Sequence, residues 1–225
     1  VKAYKTNEYD IRAGVVRQLL KEGWKRENIR IEIPLDTASS GGRADIVCLD
    51  DKYLGCIELK SGKDKFCNDS IGKQCKPYRR AFDCVAVVMD SHHLKKFKPD
   101  KYGFRGYPKC NGIYHHETGE IRDYFDTAIL QGLDNKFFRW KSGVTSPLDM
   151  ACLLWKKECD EAFGVKETRC RSINRVSEEW ALKDIRPKVI EQLRGRVLNS
   201  WEEKFWNKFD NKQESLSVDM NNQVA

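Results

Sequence analysis

The chain has 225 residues, 40% of them hydrophobic and 33% charged, enough for one compact domain with a good core or one domain plus an appendage. No apolar run approaches the roughly 20 residues that a membrane helix needs, and Val1-Lys2-Ala3-Tyr4 lacks a secretory pattern; no membrane partner and a cytoplasmic setting are expected. The formal net charge of +7 suits a polyanionic partner, although many inert basic proteins share it.

The nine cysteines are odd in number and none forms a C-x-x-C pair, so they read as reduced thiols. Cys152, Cys159 and Cys170 lack tight iron–sulfur spacing.

Residues 7 to 22 are predicted helical. Ile11, Val15 and Leu19 recur every four residues, Asn7 is the candidate N-cap and Gly23 the stop. Glu8 stands one turn before Ile11, either as a first-turn acid complementing the helix dipole or as a group facing a functional cleft. From Asn28 to Leu35, Ile29, Ile31 and Ile33 alternate with Arg30 and Glu32, the pattern of a strand, with Pro34 marking an edge or exit. Thr37 to Gly42 reads as a flexible loop.

The stretch Gly42 to Gly62 organises the chain. Two apolar runs flank the polar turn Asp50-Asp51-Lys52, a hairpin signal. Asp45 enters the first run. Glu58 and Lys60 share one face of the second, because side chains alternate along a strand. Two carboxylates together with the backbone carbonyl of Leu59 suit a hard cation such as Mg²⁺ or Mn²⁺. A lysine beside them can orient an attacking water or stabilise charge developing on a phosphate. A buried ion-pair network with no ion is the bland alternative.

A helix is predicted from about Phe66 to Phe82, with Ile71, Cys75, Tyr78 and Phe82 as its apolar stripe. Gln74 and Tyr78 lie one turn apart, and Lys73, Lys76, Arg79 and Arg80 make a solvated or phosphate-contacting basic face. Cys84 to Met89 is continuously apolar, as in a central, parallel-paired strand. His92 and His93 follow in what reads as a surface loop. Residues 94 to 111 interleave lysines with Tyr102, Phe104 and Tyr107, a composition that grips nucleic acid or packs as an ordinary loop. A late hairpin is predicted across Thr118-Gly119.

From about Ala128 the pattern turns helical. One helix is expected from the Ser146-Pro147 start to Gly164, a second from Ser177 through Leu193 broken or kinked at Pro187, and a third carrying Val197, Trp201, Phe205 and Phe209. The expected division is a core over residues 1–127, a helical region over 128–210 and a polar, frayed tail over 211–225. No tight-turn pattern supports a helix-turn-helix.

Asp45 followed by Glu58-Leu59-Lys60 on the next strand resembles the PD-(D/E)XK nuclease superfamily, with Ala44 where that family has Pro. Asp10-Ile11-Arg12, Gly41-Gly42-Arg43, Glu58-Leu59-Lys60-Ser61 and the order Gln74, Tyr78, Phe82, Asp83 resemble, over roughly the first half of the chain, small bacterial and phage predicted nucleases with a RecB-like Gln-x-x-x-Tyr helix. The resemblance implies an α/β, restriction-endonuclease-like αβββαβ core with a mixed central sheet and a helical C-terminal region. It implies a metal-dependent phosphodiester hydrolase acting on nucleic acid, DNA first, with a non-cleaving nucleic-acid-binding module as the alternative. Asp45, Glu58 and Leu59 would hold Mg²⁺ or Mn²⁺. Lys60, Glu8 and Gln74 would complete the catalytic set, and Arg43, Lys63, Lys73, Tyr78 and Arg79 would contact nucleic acid. A homodimer would supply two sites for two strands.

Overall fold

The structure is a computed structural model that describes residues 6–37, 40–64, 68–93, 110–115, 120–122 and 145–224. Helix α1 spans Glu8–Lys21 and begins as its sequence dictates: the Asn7 side chain accepts from the Asp10 N–H, and the Asp10 carboxylate returns the bond to the Asn7 N–H. Gly23, at φ +90°, turns the chain out of the helix in a conformation that glycine adopts without cost. Ile11, Val15, Val16 and Leu19 are fully buried, each worth about 1.5–3 kcal/mol of transfer energy.

Strands β1 (Ile29–Thr37), β2 (Ser40–Leu49), β3 (Leu54–Lys60), β4 (Cys84–Asp90), β5 (Cys110–His115) and β6 (Glu120–Arg122) form one mixed sheet in the order β1-β2-β3-β4-β5-β6. The first three pair antiparallel, β3, β4 and β5 run parallel, and β6 returns antiparallel on β5. Helix α2 (Asn68–Ala81) is the crossover between β3 and β4. The continuous apolar run of β4 is therefore central, as its composition predicts, and Pro34 sits on the edge strand. The expected loop at 37–42 is shorter than read, because pairing extends to Thr37↔Ser40.

Two cores flank the sheet. The α1 side holds Ile11, Val15, Leu19, Ile29, Ile31, Ile46, Ile57 and Leu59. The α2 side holds Ile33, Leu35, Val47, Cys56, Tyr78 and Phe82, with apolar residues of the C-terminal helices. Those helices are α3 (Pro147–Ala151), α4 (Lys156–Phe163), α5 (Arg169–Glu179), α6 (Leu182–Gly195) and α7 (Ser200–Val224).

Ser146 caps α3 with Pro147 following, and Gly164 closes α4 in the left-handed conformation, as the sequence predicts. Three expectations are corrected. The helix expected over 146–163 is two, separated by a turn in which Cys152, Leu153 and Leu154 are buried. Pro187 does not break α6; the interruption falls at Trp180-Ala181 instead. The tail expected to fray from residue 211 continues α7 to Val224. In α7 the buried anchors are Phe205, Trp206 and Phe209, whereas Val197 precedes the helix and is 82% exposed. No helix among the described residues is long and apolar enough to cross a membrane.

Candidate functional site

The sheet changes hands at one point. Ile29 and Ile31 of β1 belong to the α1-side core, yet Ile33 and Leu35 belong to the α2-side core. In β2, Ile46 and Cys48 face α1 while Ala44 joins Val47 and Leu49. The alternation thus reverses across Glu32 in one strand and Asp45 in the other, residues bracketed by the pairs Ile31↔Ile46 and Ile33↔Ala44. Glu32 has φ +58°, a left-handed conformation that a side chain with a Cβ occupies at a cost of about 1–3 kcal/mol. It is the one positive-φ non-glycine among the described residues.

β2 also parts from β3 here. The two pair from Leu49↔Leu54 to Ile46↔Ile57, and then β2 stays with β1 alone. Beyond that point the Leu59 N–H donates to Asp45 Oδ2 at 2.7 Å. The splay opens a cleft of about 450 Å³ whose lining includes Glu8 of α1, Arg43 and Asp45 of β2, Glu58, Leu59 and Lys60 of β3, and Lys73, Gln74 and Tyr78 of α2. Sequence-predicted residues from four elements therefore meet in one place. Lys63 and Arg79 do not line the cleft.

Glu58 is 3% exposed, and its Oε1 receives the Lys60 ammonium at 2.5 Å. Burial opposes a charge on Lys60, but Glu58, Asp45 and Asp64 outweigh it, so the Lys60 pKa rises and the side chain stays an ammonium. Asp45 moves the other way in charge: burial first, then the negative charge of Glu58, lifts its carboxyl well above the ordinary carboxylate range, against the Leu59 N–H and Arg12.

A second acidic group adjoins it. One oxygen of each of Glu8, Glu32 and Asp45 lies within 4.8 Å of the other two. Arg12, buried in α1, pairs with both Glu8 and Glu32 and lies 3.8 Å from Asp45 Oδ1, while Arg43 pairs with the other oxygen of Glu32. Burial raises the Glu32 pKa, and the two arginines oppose that rise. Glu32 is the residue that sequence reasoning missed. Its alternation with isoleucines reads as an ordinary polar strand face, yet it is 3% exposed. The signal available was a glutamate on the strand next to Asp45, in register with it.

Tyr78 serves the frame: its hydroxyl donates to the Arg43 carbonyl at 2.8 Å, tying α2 to β2, whereas Gln74, one turn earlier, is exposed to the cleft. The turn after Lys60 is braced from the far side. The Gly62 N–H donates to Thr6 Oγ1 at 2.9 Å, Thr6 donates to Asp90, and the His92 N–H donates to the other Asp90 oxygen at 2.7 Å. His93 is no surface loop residue. It is buried, with Nε2 donating to the Ser61 carbonyl at 2.6 Å. A Cβ on Gly62 would come within 3.1 Å of Thr6 Oγ1 and 3.2 Å of the Thr6 backbone nitrogen, so a larger residue would fit only if this brace gave by a few tenths of an ångström. The Lys-rich stretch 94–109 and the Thr118-Gly119 turn lie outside the described residues.

Residues 2–99 match the family model described as Bacteriophage P4 protein cII, a span that includes every cleft residue named above. No curated protein and no solved structure matches the chain.

Proposed function

We propose that the chain is a metal-dependent nuclease that hydrolyses phosphodiester bonds, of DNA in the first instance, on a restriction-endonuclease-like αβββαβ core. The observation that carries this reading is the convergence of Asp45, Glu58, the Leu59 backbone and Lys60 where β2 parts from β3. The element order α1, β1, β2, β3, α2, β4 agrees with it. The phage family match is compatible with a nucleic-acid partner.

The donor set fits a divalent cation. Asp45 and Glu58 are hard oxygen donors, and their mutual repulsion in a buried setting is what a cation relieves. Asp45, Glu58 and the Leu59 carbonyl would hold Mg²⁺ or Mn²⁺, which supplies charge neutralisation and acidifies water. Lys60, kept cationic by its acidic neighbours, stabilises negative charge growing on the phosphate rather than accepting a proton. Lys73 and Gln74 hold the strand from the α2 side, and Arg43 from β2. Glu8 and Arg12 fix the position of Asp45 through the Glu32 network.

Linear, circular, single-stranded and branched substrates in Mg²⁺, Mn²⁺ and EDTA test this. Glu58→Ala and Lys60→Ala should each lower cleavage by about 10²–10³-fold while still melting cooperatively, though at a lower temperature because each leaves the other charge of a buried pair stranded. Variants as active as wild type refute the assigned chemistry. A second reading, a binding module without cleavage, draws on the arginines that already neutralise much of the Glu8–Glu32–Asp45 group. Binding without hydrolysis in both metals would favour it.

A further inference from the structure

Helix α7 is fixed beside the cleft by its first turn. Asn199 Oδ1 accepts from the N–H groups of Trp201 and Glu202, and Glu202 Oε2 accepts from the Asn199 N–H. The same Glu202 accepts from the Ile31 N–H at 3.0 Å and pairs with buried Arg30 at 2.7 Å. The start of α7 is thereby locked to edge strand β1 one residue before Glu32. This places Trp201 where its burial alone gives no reason for it: the ring is 55% exposed and carries the guanidinium of Arg43, a cleft residue, 5.0 Å from its centroid.

Trp201 heads a stripe. Positions 201, 204, 208 and 212 follow steps of three, four and four, which keeps them within an arc of roughly 80° on the helix. They are Trp201, Lys204, Lys208 and Lys212, all exposed. Lys204 lies 5.8 Å from the Trp201 ring, and Lys208 lies 3.9 Å from the ring of Tyr9, the neighbour of cleft residue Glu8. The acidic residues Glu203 and Asp210 fall on the far side of the helix by the same arithmetic. An exposed indole followed by a row of ammonium groups, leading from the cleft rim, has the chemistry of a single-strand track: bases stack on the ring and phosphates follow the lysines.

We infer that the Trp201–Lys204–Lys208–Lys212 face of α7 binds single-stranded DNA and leads it to the Asp45–Glu58 cleft, with Trp201 stacking an unpaired base. The inference rests on the proposed nuclease reading for what the cleft does, but not for the binding itself. An amphipathic helix whose cations merely cover aromatic rings is the competing account; it leaves unexplained that the Trp201 ring stays 55% exposed beside Arg43 and Lys204.

The test is fluorescence anisotropy with labelled oligothymidylate, oligouridylate and a blunt duplex, using the full chain in EDTA. Trp201→Ala should weaken oligothymidylate binding about tenfold or more, and Trp201→Phe should restore most of it. Lys204→Gln with Lys208→Gln should flatten the slope of log K against log salt by about 1.4, twice the single-strand value per contact. All three variants should keep the wild-type thermal transition. Oligothymidylate binding unchanged by these substitutions, absent in wild type, or weaker than binding of oligouridylate or duplex overturns the proposal. If wild type binds through the stripe but no metal supports cleavage, the hydrolytic reading falls and this one stands. If cleavage depends on Glu58 while the stripe variants bind normally, the reverse holds.

Discussion

Asp45 carries the sharpest consequence of the site's electrostatics. Its carboxyl is raised above the ordinary value of 3.8 by burial and by Glu58, so the folded state takes up a proton that the unfolded state has already released. Asp45's own contribution to the stability of the cation-free protein is thus greatest below that value and is lost as pH rises through the window up to the raised pKa. Asp45→Asn removes the penalty and should stabilise the cation-free protein by about 0.5–2 kcal/mol, read as a higher urea midpoint at pH 7. Protons and metal compete for the same oxygens. The acid limb of the proposed activity should therefore move to lower pH as Mg²⁺ is raised, and an acid limb insensitive to Mg²⁺ would separate Asp45 from the metal. Lys60 contributes no alkaline limb below its ordinary value of 10.5, because its pKa is raised. The cysteines are simpler. Burial pushes the thiol of Cys75 up to about 12 and those of Cys152 and Cys159 to about 11. Cys170 is exposed. Among the described cysteines Cys170 should react with a maleimide at pH 7 in minutes while the buried ones wait for unfolding, which peptide mapping after a short pulse would show.

Between elements, the most consequential contact is Arg30 with Glu202. Both are buried, and the guanidinium is paired at 2.7 and 2.8 Å on Glu202 and bonded to the Leu193 and Arg196 carbonyls. Such a pair adds little over an apolar one, but removing one partner strands the other. Glu202→Ala should cost about 3–5 kcal/mol, and Arg30→Met added to it should recover a substantial part in a denaturant cycle. A single-variant cost below 1 kcal/mol would mean that water reaches Arg30. This contact also marks the limit of what the sequence made legible. The α1 cap, the hairpin, the parallel β4 and the set Asp45, Glu58, Lys60 follow from local patterns: a capping residue, a turn, a continuous apolar run, charges interrupting strands. Arg30 and Glu32 were not legible, because a polar residue alternating with isoleucine looks the same whether water or a distant helix covers it. For Arg30 only α7, some 170 positions later, decides that; for Glu32 it is Arg12 of α1 and Arg43 of β2. Trp201 shows the converse, since four-residue spacing with Phe205 and Phe209 reads as core although the ring is exposed. His93 misled for the same reason, its partner being the backbone carbonyl of Ser61 in the turn after β3, over 30 positions earlier.

At the scale of the molecule, the family match ends at residue 99 but the core does not. Met150, Leu153, Leu154, Val176, Ile185, Val189 and Leu193 pack in one cluster with Ile33, Leu35, Tyr78 and Met89. The cleft is framed by the same parts: Tyr78 ties α2 to β2, and Arg80, two residues on, pairs with buried Asp149 of α3 at 2.7 Å. A fragment of residues 1–144 keeps every strand and all of the proposed cleft chemistry, yet it loses the apolar cover of the α2 side and the whole of α7. An exposed apolar face that large does not hold a unique packing. The fragment should therefore bind a hydrophobic dye, lose its near-ultraviolet signal and melt without a cooperative transition, while the full chain melts in one step with calorimetric and van't Hoff enthalpies equal. A fragment with its own sharp transition, or a full chain that unfolds in two, would show that the helical third is an appended domain rather than half of the wall behind the cleft.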